Sequence, residues 1–336
     1  MDQNEVNMSD ISVSREDFKN GGNILEALES AIQVSNFTIS ELGLTEKFSL
    51  FSLNENSVSL LENIMIERVR LPLLGYLIKC ESNSEVSLID ATFRENTFAI
   101  ETPVHTPPQL LLVTSSSMNI TSLAFFGETA LLNSYKGSVN IDNFRVEGQS
   151  NVEKYRGRSL FTLIDTTFSL SNCEIEYQED NQDEHLEEIW IFGRTSDLSI
   201  SKLQFSRLKG ATGNFLYLVD STLYTKELVL TNMEYQESSS LILITTSSSI
   251  EIHNSIFVAW ENLISLTDVE RVLISNSSIK FALGHTFTGI KINSVNDMLF
   301  EKVMINSEVI ETKAMMDSLV WIKDIGTRIR IIDSKI

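Results

Sequence analysis

Val272-Leu273-Ile274-Ser275-Asn276-Ser277-Ser278-Ile279 reads apolar, any, apolar, any, polar, any, any, apolar, and this phrase recurs eleven times along the chain. Copies begin at Val58, Val86, Met118, Val139, Phe168, Leu198, Leu223, Ile250, Val272, Met298 and Ile329, spaced 21 to 32 residues apart. The third position is apolar in every copy except one, where Thr225 stands, and the eighth is apolar throughout. A unit recurring at that interval marks a stacked-repeat architecture.

Alternation with period two turns positions one and three to the same, inward face of a strand. The polar fifth position then breaks the strand. It is Asp90, Asn143, Asn172, Asn254, Asn276 or Asp333 in six copies. Asn and Asp tolerate left-handed backbone angles and bond to their own neighbouring backbone, so these six are read as a ladder of corners. Inward packing resumes at the eighth position, as at Phe93, Phe125, Phe205 and Phe257. A second apolar run precedes most copies, for example Phe215-Leu216-Tyr217-Leu218-Val219, Leu241-Ile242-Leu243-Ile244 and Leu319-Val320-Trp321-Ile322. Small polar corners such as Ser221-Thr222 and Ser247-Ser248-Ser249 join the run to the phrase.

Three short strands per repeat predict an all-β fold, a right-handed parallel β-helix solenoid of about eleven coils. At about 4.8 Å per coil it would be roughly 50 Å long. A β-sandwich also has many short strands, but it demands hairpin turns, for which 14 glycines are few. Leucine-rich repeats fit less well, because no copy carries a consistent leucine ladder and no helix follows each strand.

The two ends read differently. Residues 1–15 are expected to be a flexible N-terminal segment, polar and acidic, with no secretory signal in it. Residues 16–40 are expected to hold a capping helix. Ile24, Leu25, Leu28, Ala31 and Ile32 fall at helical spacing after Asn20-Gly21-Gly22-Asn23, with Asn23 as N-cap and Glu26 three residues on. Such a helix would cover the first coil of the solenoid at 41–336 and its unpaired edge. No cap is visible at Ile329–Ile336, so that end is expected to continue into a following segment or to dock on a partner.

Composition narrows the partners. The net charge of −20 disfavours nucleic acid and anionic membranes. No stretch approaches the ~20 apolar residues that span a bilayer. The acidic run at 174–188 lacks the ligand spacing of a calcium loop and is read as a solvated loop. Cys80 and Cys173 lie about three coils apart, roughly 14 Å by coil spacing, beyond the ~7 Å reach of a disulfide, and are read as free thiols. Four glycosylation sequons occur, at Asn7, Asn36, Asn119 and Asn276. Asn119 and Asn276 are taken as candidate glycan acceptors, Asn119 first because its alternation points outward.

With these features the chain resembles the right-handed parallel β-helix proteins of the pectin-lyase-like superfamily. Residues Phe18–Ile32 are similar to the helix that opens such domains, and the stacked Asn143, Asn172, Asn254 and Asn276 to the asparagine corners of that family. The Asn/Ser/Ile-rich, glycine-poor composition resembles large surface β-helix proteins of ciliated protists. For the enzymes of the family the resemblance implies clustered aspartates on one outer face with Arg or Lys beside them.

The outward rows of the phrase strands do not carry that chemistry. They read Ser59, Ser87, Asn119, Asn140, Ser169, Ser199, Tyr224, Glu251 and Thr121, Asp142, Ser171, Ser201, Lys226, His253. No two carboxylates stand on adjacent coils as glycoside hydrolysis requires. No catalytic residue, cofactor or metal is therefore expected. His253 beside Glu251 is read as a surface polar pair, His285 as a loop residue, and Trp190, Trp260 and Trp321 as packed aromatics. The proline-bearing stretch Thr102–Gln109 is read as a surface loop that offers a contact site. Toward the C-terminal coils the outward rows turn apolar, and Leu273, Leu299, Ile332 and Ile336 are expected to form an assembly surface. The expected function is a non-enzymatic structural or adhesive β-helix, extracellular or at the cell surface. Its expected partners are other protein subunits or a following segment, with glycans besides. The competing reading is a carbohydrate-active module.

Overall fold

Apolar residues at alternate positions do stack, turn upon turn, in register. Val86 lies beside Met118 and Met118 beside Val139, while Leu88, Ile120 and Ile141 align two residues further on. A computed structural model describes residues 4–14, 17–18, 23–44, 49–72, 75–98, 109–126, 130–149, 158–178, 188–211, 214–235, 240–259, 263–283, 287–309, 316–323 and 328–335. The pairings named below are parallel, and the chain divides into two compact units, Met1–Tyr155 with Leu160–Ser169 and Arg156–Ser159 with Leu170–Ile336. Each unit is a parallel β-solenoid. Among the described residues no helix is long and apolar enough to cross a membrane.

In the first unit one sheet aligns the strands Asn4–Ser14, Ser30–Ser40, Val58–Glu67, Glu85–Arg94, Ser117–Phe126 and Ser138–Gln149. A second sheet aligns Asn23–Leu28, Ser49–Asn54, Tyr76–Glu81, Gln109–Thr114 and Ala130–Tyr135. A short third side pairs Asp17–Phe18, Gly43–Leu44, Arg70–Leu71 and Thr97–Phe98. In the second unit the phrase strands Asp197–Ala211, Thr222–Tyr235, Ser249–His253, Val269–Ser275, Val295–Glu301 and Arg328–Ile332 align in the same way. Their companions are Asn214–Val219, Ile242–Thr245, Ile264–Thr267 and Phe287–Ile292.

Three expectations need correction. Residues 23–40 form two strands in place of a capping helix. Leu25 and Ala27 are buried while Glu26 and Leu28 are exposed, and Ile32, Val34, Phe37 and Ile39 are buried beyond the turn. That is strand periodicity, and Glu29 between the two strands has φ 49°, which no α-helix accommodates. Residues 4–14, expected within a flexible segment, form a strand in register with Ser30–Ser40. Eleven coils is also not the number of turns: Asn4–Ser14 and Ser30–Ser40 stack in the same sheet ahead of the copy at Val58. The copy at Val58 starts one residue early: Ser59, not Val58, pairs with Val86, so Val58 is 44% exposed and Ser59 only 2%.

The corners follow one rule. Asp90, Asn143, Asn172, Asn254, Asn276 and Asp333 all have left-handed φ, between 48° and 56°. Ser122, Lys202, Glu227 and Lys302, at the same position of other copies, are left-handed too, between 51° and 65°. One left-handed residue shifts the alternation by a step, so the sixth position turns inward as well as the eighth. Ala91, Leu123, Phe144, Leu203 and Leu228 are buried there.

At the corner that leads into the phrase, itself left-handed at Asn56, Asn83 and Ser115, the backbone changes bonding partner. Asn83 donates its N–H forward to the Ser115 carbonyl, whereas Glu85 donates backward to that of Ser57. The amide between them, at Ser84, has no carbonyl to meet and donates to Ser116 Oγ at 3.1 Å. Ser57 likewise donates its amide to Ser84 Oγ at 3.2 Å, and Ser196 to Ser221 Oγ at 3.1 Å. Two of these acceptor hydroxyls in turn donate to a carbonyl just upstream, Ser116 to Thr114 and Ser221 to Val219. The rule also serves the other corners: Val69 donates to Asn96 Oδ1 at 3.0 Å, and Ser255 to Ser277 Oγ at 3.1 Å. Buried backbone groups need partners, and one small polar side chain per corner supplies them.

Candidate functional site on the outer face of the second unit

A solenoid fixes the outer face of its phrase strands as a grid. Residues two apart share a face, and neighbouring turns are about 4.8 Å apart. In the second unit three outward columns run through the residue before the phrase and through its second and fourth positions. Ser249, Arg271, Asp297 and Arg328 form one column. Tyr224, Glu251, Leu273, Leu299 and Arg330 form the next, and Lys226, His253, Ser275, Glu301 and Ile332 the third. In the first unit the corresponding columns are Leu60, Ser87, Asn119, Asn140 and Glu62, Ile89, Thr121, Asp142. Ser59, expected in that outward row, points inward; Leu60 takes its place.

Two polar clusters sit on the grid. His253 Nδ1 is 2.7 Å from Ser275 Oγ, and its Nε2 is 3.4 Å from Glu251 Oε2. The Tyr224 ring packs on the imidazole at 5.4 Å between centroids. This is the connectivity of a hydroxyl–imidazole–carboxylate relay. Ser275 is 6% exposed, and its contact with His253 links neighbouring turns. The second cluster is built on arginine. Arg330 donates from Nη2 to Asp297 Oδ2 at 2.8 Å, and Asp297 stands between Arg271 and Arg328 in its column. Arg271, Arg328 and Arg330 are exposed. Three arginines therefore stand around one carboxylate, which pairs with Arg330, in a chain whose net charge is −20.

Leu273 and Leu299 lie side by side between these clusters, both half-buried. Ile332, in the third column, is exposed; Ile336 lies outside the described residues. The structure thus brings Leu273 and Leu299 together and sets Ile332 one column over. The candidate glycan acceptor Asn119 is exposed between Ser87 and Asn140, and Asn276 is an exposed corner residue. Asn36 differs: its side chain donates to Asp10 Oδ1 at 3.0 Å and accepts from Asn63 at 3.2 Å.

Both cysteines are buried, and neither forms a disulfide. Burial, helped by Glu81 and Glu85, pushes the Cys80 thiol up to about 12 against the opposing hydrogen bond with Ser116. Cys173 occupies an inward sixth position and donates from Sγ to the Ser171 carbonyl at 3.1 Å, as a corner serine does. Trp190 is buried edge-on to Phe205, at 4.7 Å. Trp321 is half-buried on an outer face of the second sheet, with Lys291 Nζ 5.5 Å from its ring centroid. Trp260, His285, residues 102–108 and 179–187 lie outside the described residues. Among the described residues no group of three or more His, Cys, Asp and Glu side chains is placed to hold a metal ion.

The arginine cluster had no signature in the sequence. Arg271, Asp297 and Arg328 precede their phrases, and only the pairing register brings them together. Comparison with known proteins finds no match: no protein-family model, no curated protein and no solved structure resembles the chain to a significant degree.

Proposed function

We propose that this chain is a non-enzymatic structural or adhesive parallel β-helix that assembles with other proteins through the outer face of its second unit. One observation carries the reading. Leu273 and Leu299 form an apolar centre with arginines on one side and His253, Ser275 and Glu301 on the other. An apolar centre within a polar rim, with arginine near it, is the usual composition of a protein contact. In the first unit the outward Leu60 and Ile89 lie in different columns, among Ser87, Asn119, Asn140 and Thr121, and those columns carry no arginine. The resemblance to pectin-lyase-like β-helices, and the right-handed crossover general to parallel strands, belong to the same reading. The exposed Asn119 and Asn276 suit an extracellular or cell-surface location, where they would accept glycans.

The test is electron microscopy and light scattering of the native material, beside a Leu273→Ser/Leu299→Ser variant. Loss of assembly with unchanged circular dichroism and melting supports the reading; assembly that persists at full size in that variant refutes it.

A second reading, a carbohydrate-binding module, draws on the outer row Phe192, Tyr217, Leu243, Ser265, Lys291 and Trp321 of the second sheet. Aromatic rings beside Ser and Lys donors are groups that hold sugars. Retention on neutral polysaccharide columns that is lost on Trp321→Ala would favour it.

A further inference from the structure

We infer that Arg271, Arg328 and Arg330, gathered around Asp297, form a carboxylate-binding site, and that its occupant is an acidic segment of a protein partner whose apolar residues cover Leu273 and Leu299. The inference rests on the assembly reading above and names the chemistry of the partner.

Charge makes the first argument. Residues 1–269 hold 17 basic and 38 acidic residues, whereas residues 270–336 hold 9 and 8, a change from −21 to +1. The balance shifts where the arginine column begins. The second argument is the residue type. A guanidinium is planar, always charged and bidentate toward carboxylates, and is shed from water more readily than an ammonium. The third is engagement. Arg330 is held by Asp297, while among the described residues no carboxylate lies within 4.0 Å of Arg271 or Arg328. Two carboxylates roughly 7 Å apart, the spacing of alternate residues on a strand, fall within reach of both.

The neighbours select a protein segment over a polyanion. Leu273 and Leu299 adjoin the arginines, and Glu251 and Glu301 stand beyond them. A chain of uniform negative charge would meet those glutamates and lay charge on the leucines. A polypeptide can set carboxylate, apolar and basic side chains against the three columns in turn.

The experiment uses the whole chain and a fluorescein-labelled hexapeptide of alternating glutamate and leucine, read by anisotropy. A lysine–leucine hexapeptide is the charge control, and inorganic polyphosphate the competitor. The expected result is binding of the acidic peptide that weakens with salt and falls about tenfold or more in Arg271→Glu/Arg328→Glu, with gain of the lysine peptide. Arg271→Gln/Arg328→Gln, which keeps the shape, should fall between. No binding, or binding indifferent to both variants, overturns the inference. So does polyphosphate that binds more tightly than the peptide with the same arginine dependence, since that marks a polyanion site. If the leucine variant abolishes native assembly while the arginine variants leave it intact, the assembly reading stands and the carboxylate site falls. If the arginine variants lose the peptide but native assembly ignores both faces, the converse holds.

Discussion

Thr225 shows how a single side chain sits uneasily in the stack. It occupies an inward third position, is 0% exposed, and its hydroxyl has no hydrogen-bond partner. Ser59 Oγ is in the same state at a first position. A buried hydroxyl without a partner costs about 1–3 kcal/mol, whereas an apolar group of the same shape avoids that cost. Thr225→Val is therefore expected to stabilise the protein by about 1 kcal/mol, read as a higher urea midpoint at unchanged slope. Thr225 was legible from the sequence as the one exception in its column. Ser59 was not, because Val58 and Leu60 fit the phrase better by residue type. A one-residue slip exchanges the two faces of a strand, and only pairing with Val86 decides between them. Cys80 carries a prediction too. Its folded-state pKa is raised, so the stability it contributes is fully present below the pKa of the unfolded thiol, near 9, and declines as pH rises from there toward about 12. Titration of stability in urea should show that loss in wild type, and much less of it in Cys80→Ala.

At the scale of the element the corner governs. The fold needs a left-handed residue followed by a small polar one whose side chain answers the amide of the preceding turn. Ser116→Ala is expected to leave the Ser84 amide unanswered in a buried place, lowering stability by about 1–3 kcal/mol. Cys173→Ser should cost little, since a hydroxyl can repeat the thiol's donation to the Ser171 carbonyl. Both are read by thermal melting. At Gly137 the hydroxyl has moved to another residue. A Cβ there would lie 2.7 Å from Ser134 Oγ, and Ser134 accepts the Thr166 hydroxyl at 3.0 Å. The asparagine corners were visible in the sequence because Asn and Asp favour left-handed angles. Lys202, Glu227 and Lys302 take the same angles without that preference, imposed by the stack. The inward sixth position was hidden for a different reason, since it ranges from Phe144 to Ser277 and shows no type pattern. The first turns were misread because Leu25, Leu28 and Ile32 match helical spacing as well as they match two short strands, and only neighbouring turns separate the two.

Across the whole molecule, charge sets one further expectation, in which stability and binding should answer salt with opposite signs. A net charge of −20 repels itself most when the chain is compact, which lowers the stability of the folded state. Salt shortens the range of that repulsion to about 8 Å at physiological ionic strength. The melting temperature should therefore rise by a few degrees, on the order of 1 kcal/mol, when sodium chloride is raised from low to physiological levels. Attraction between the arginine cluster and a carboxylate partner is screened by the same ions, so binding of the acidic peptide should weaken over that range. Composition alone announced the repulsion and argued against nucleic acid. It could not place the attraction, because Arg271, Asp297 and Arg328 are 26 and 31 residues apart along the chain and meet only through the register of their strands. Charge reversal separates the two effects. Arg271→Glu/Arg328→Glu takes the net charge from −20 to −24, so its melting temperature should gain more from salt than that of wild type. Its affinity for the acidic peptide, already low, should change less. A variant whose melting and binding both track wild type across the salt series would show that these arginines dominate neither property.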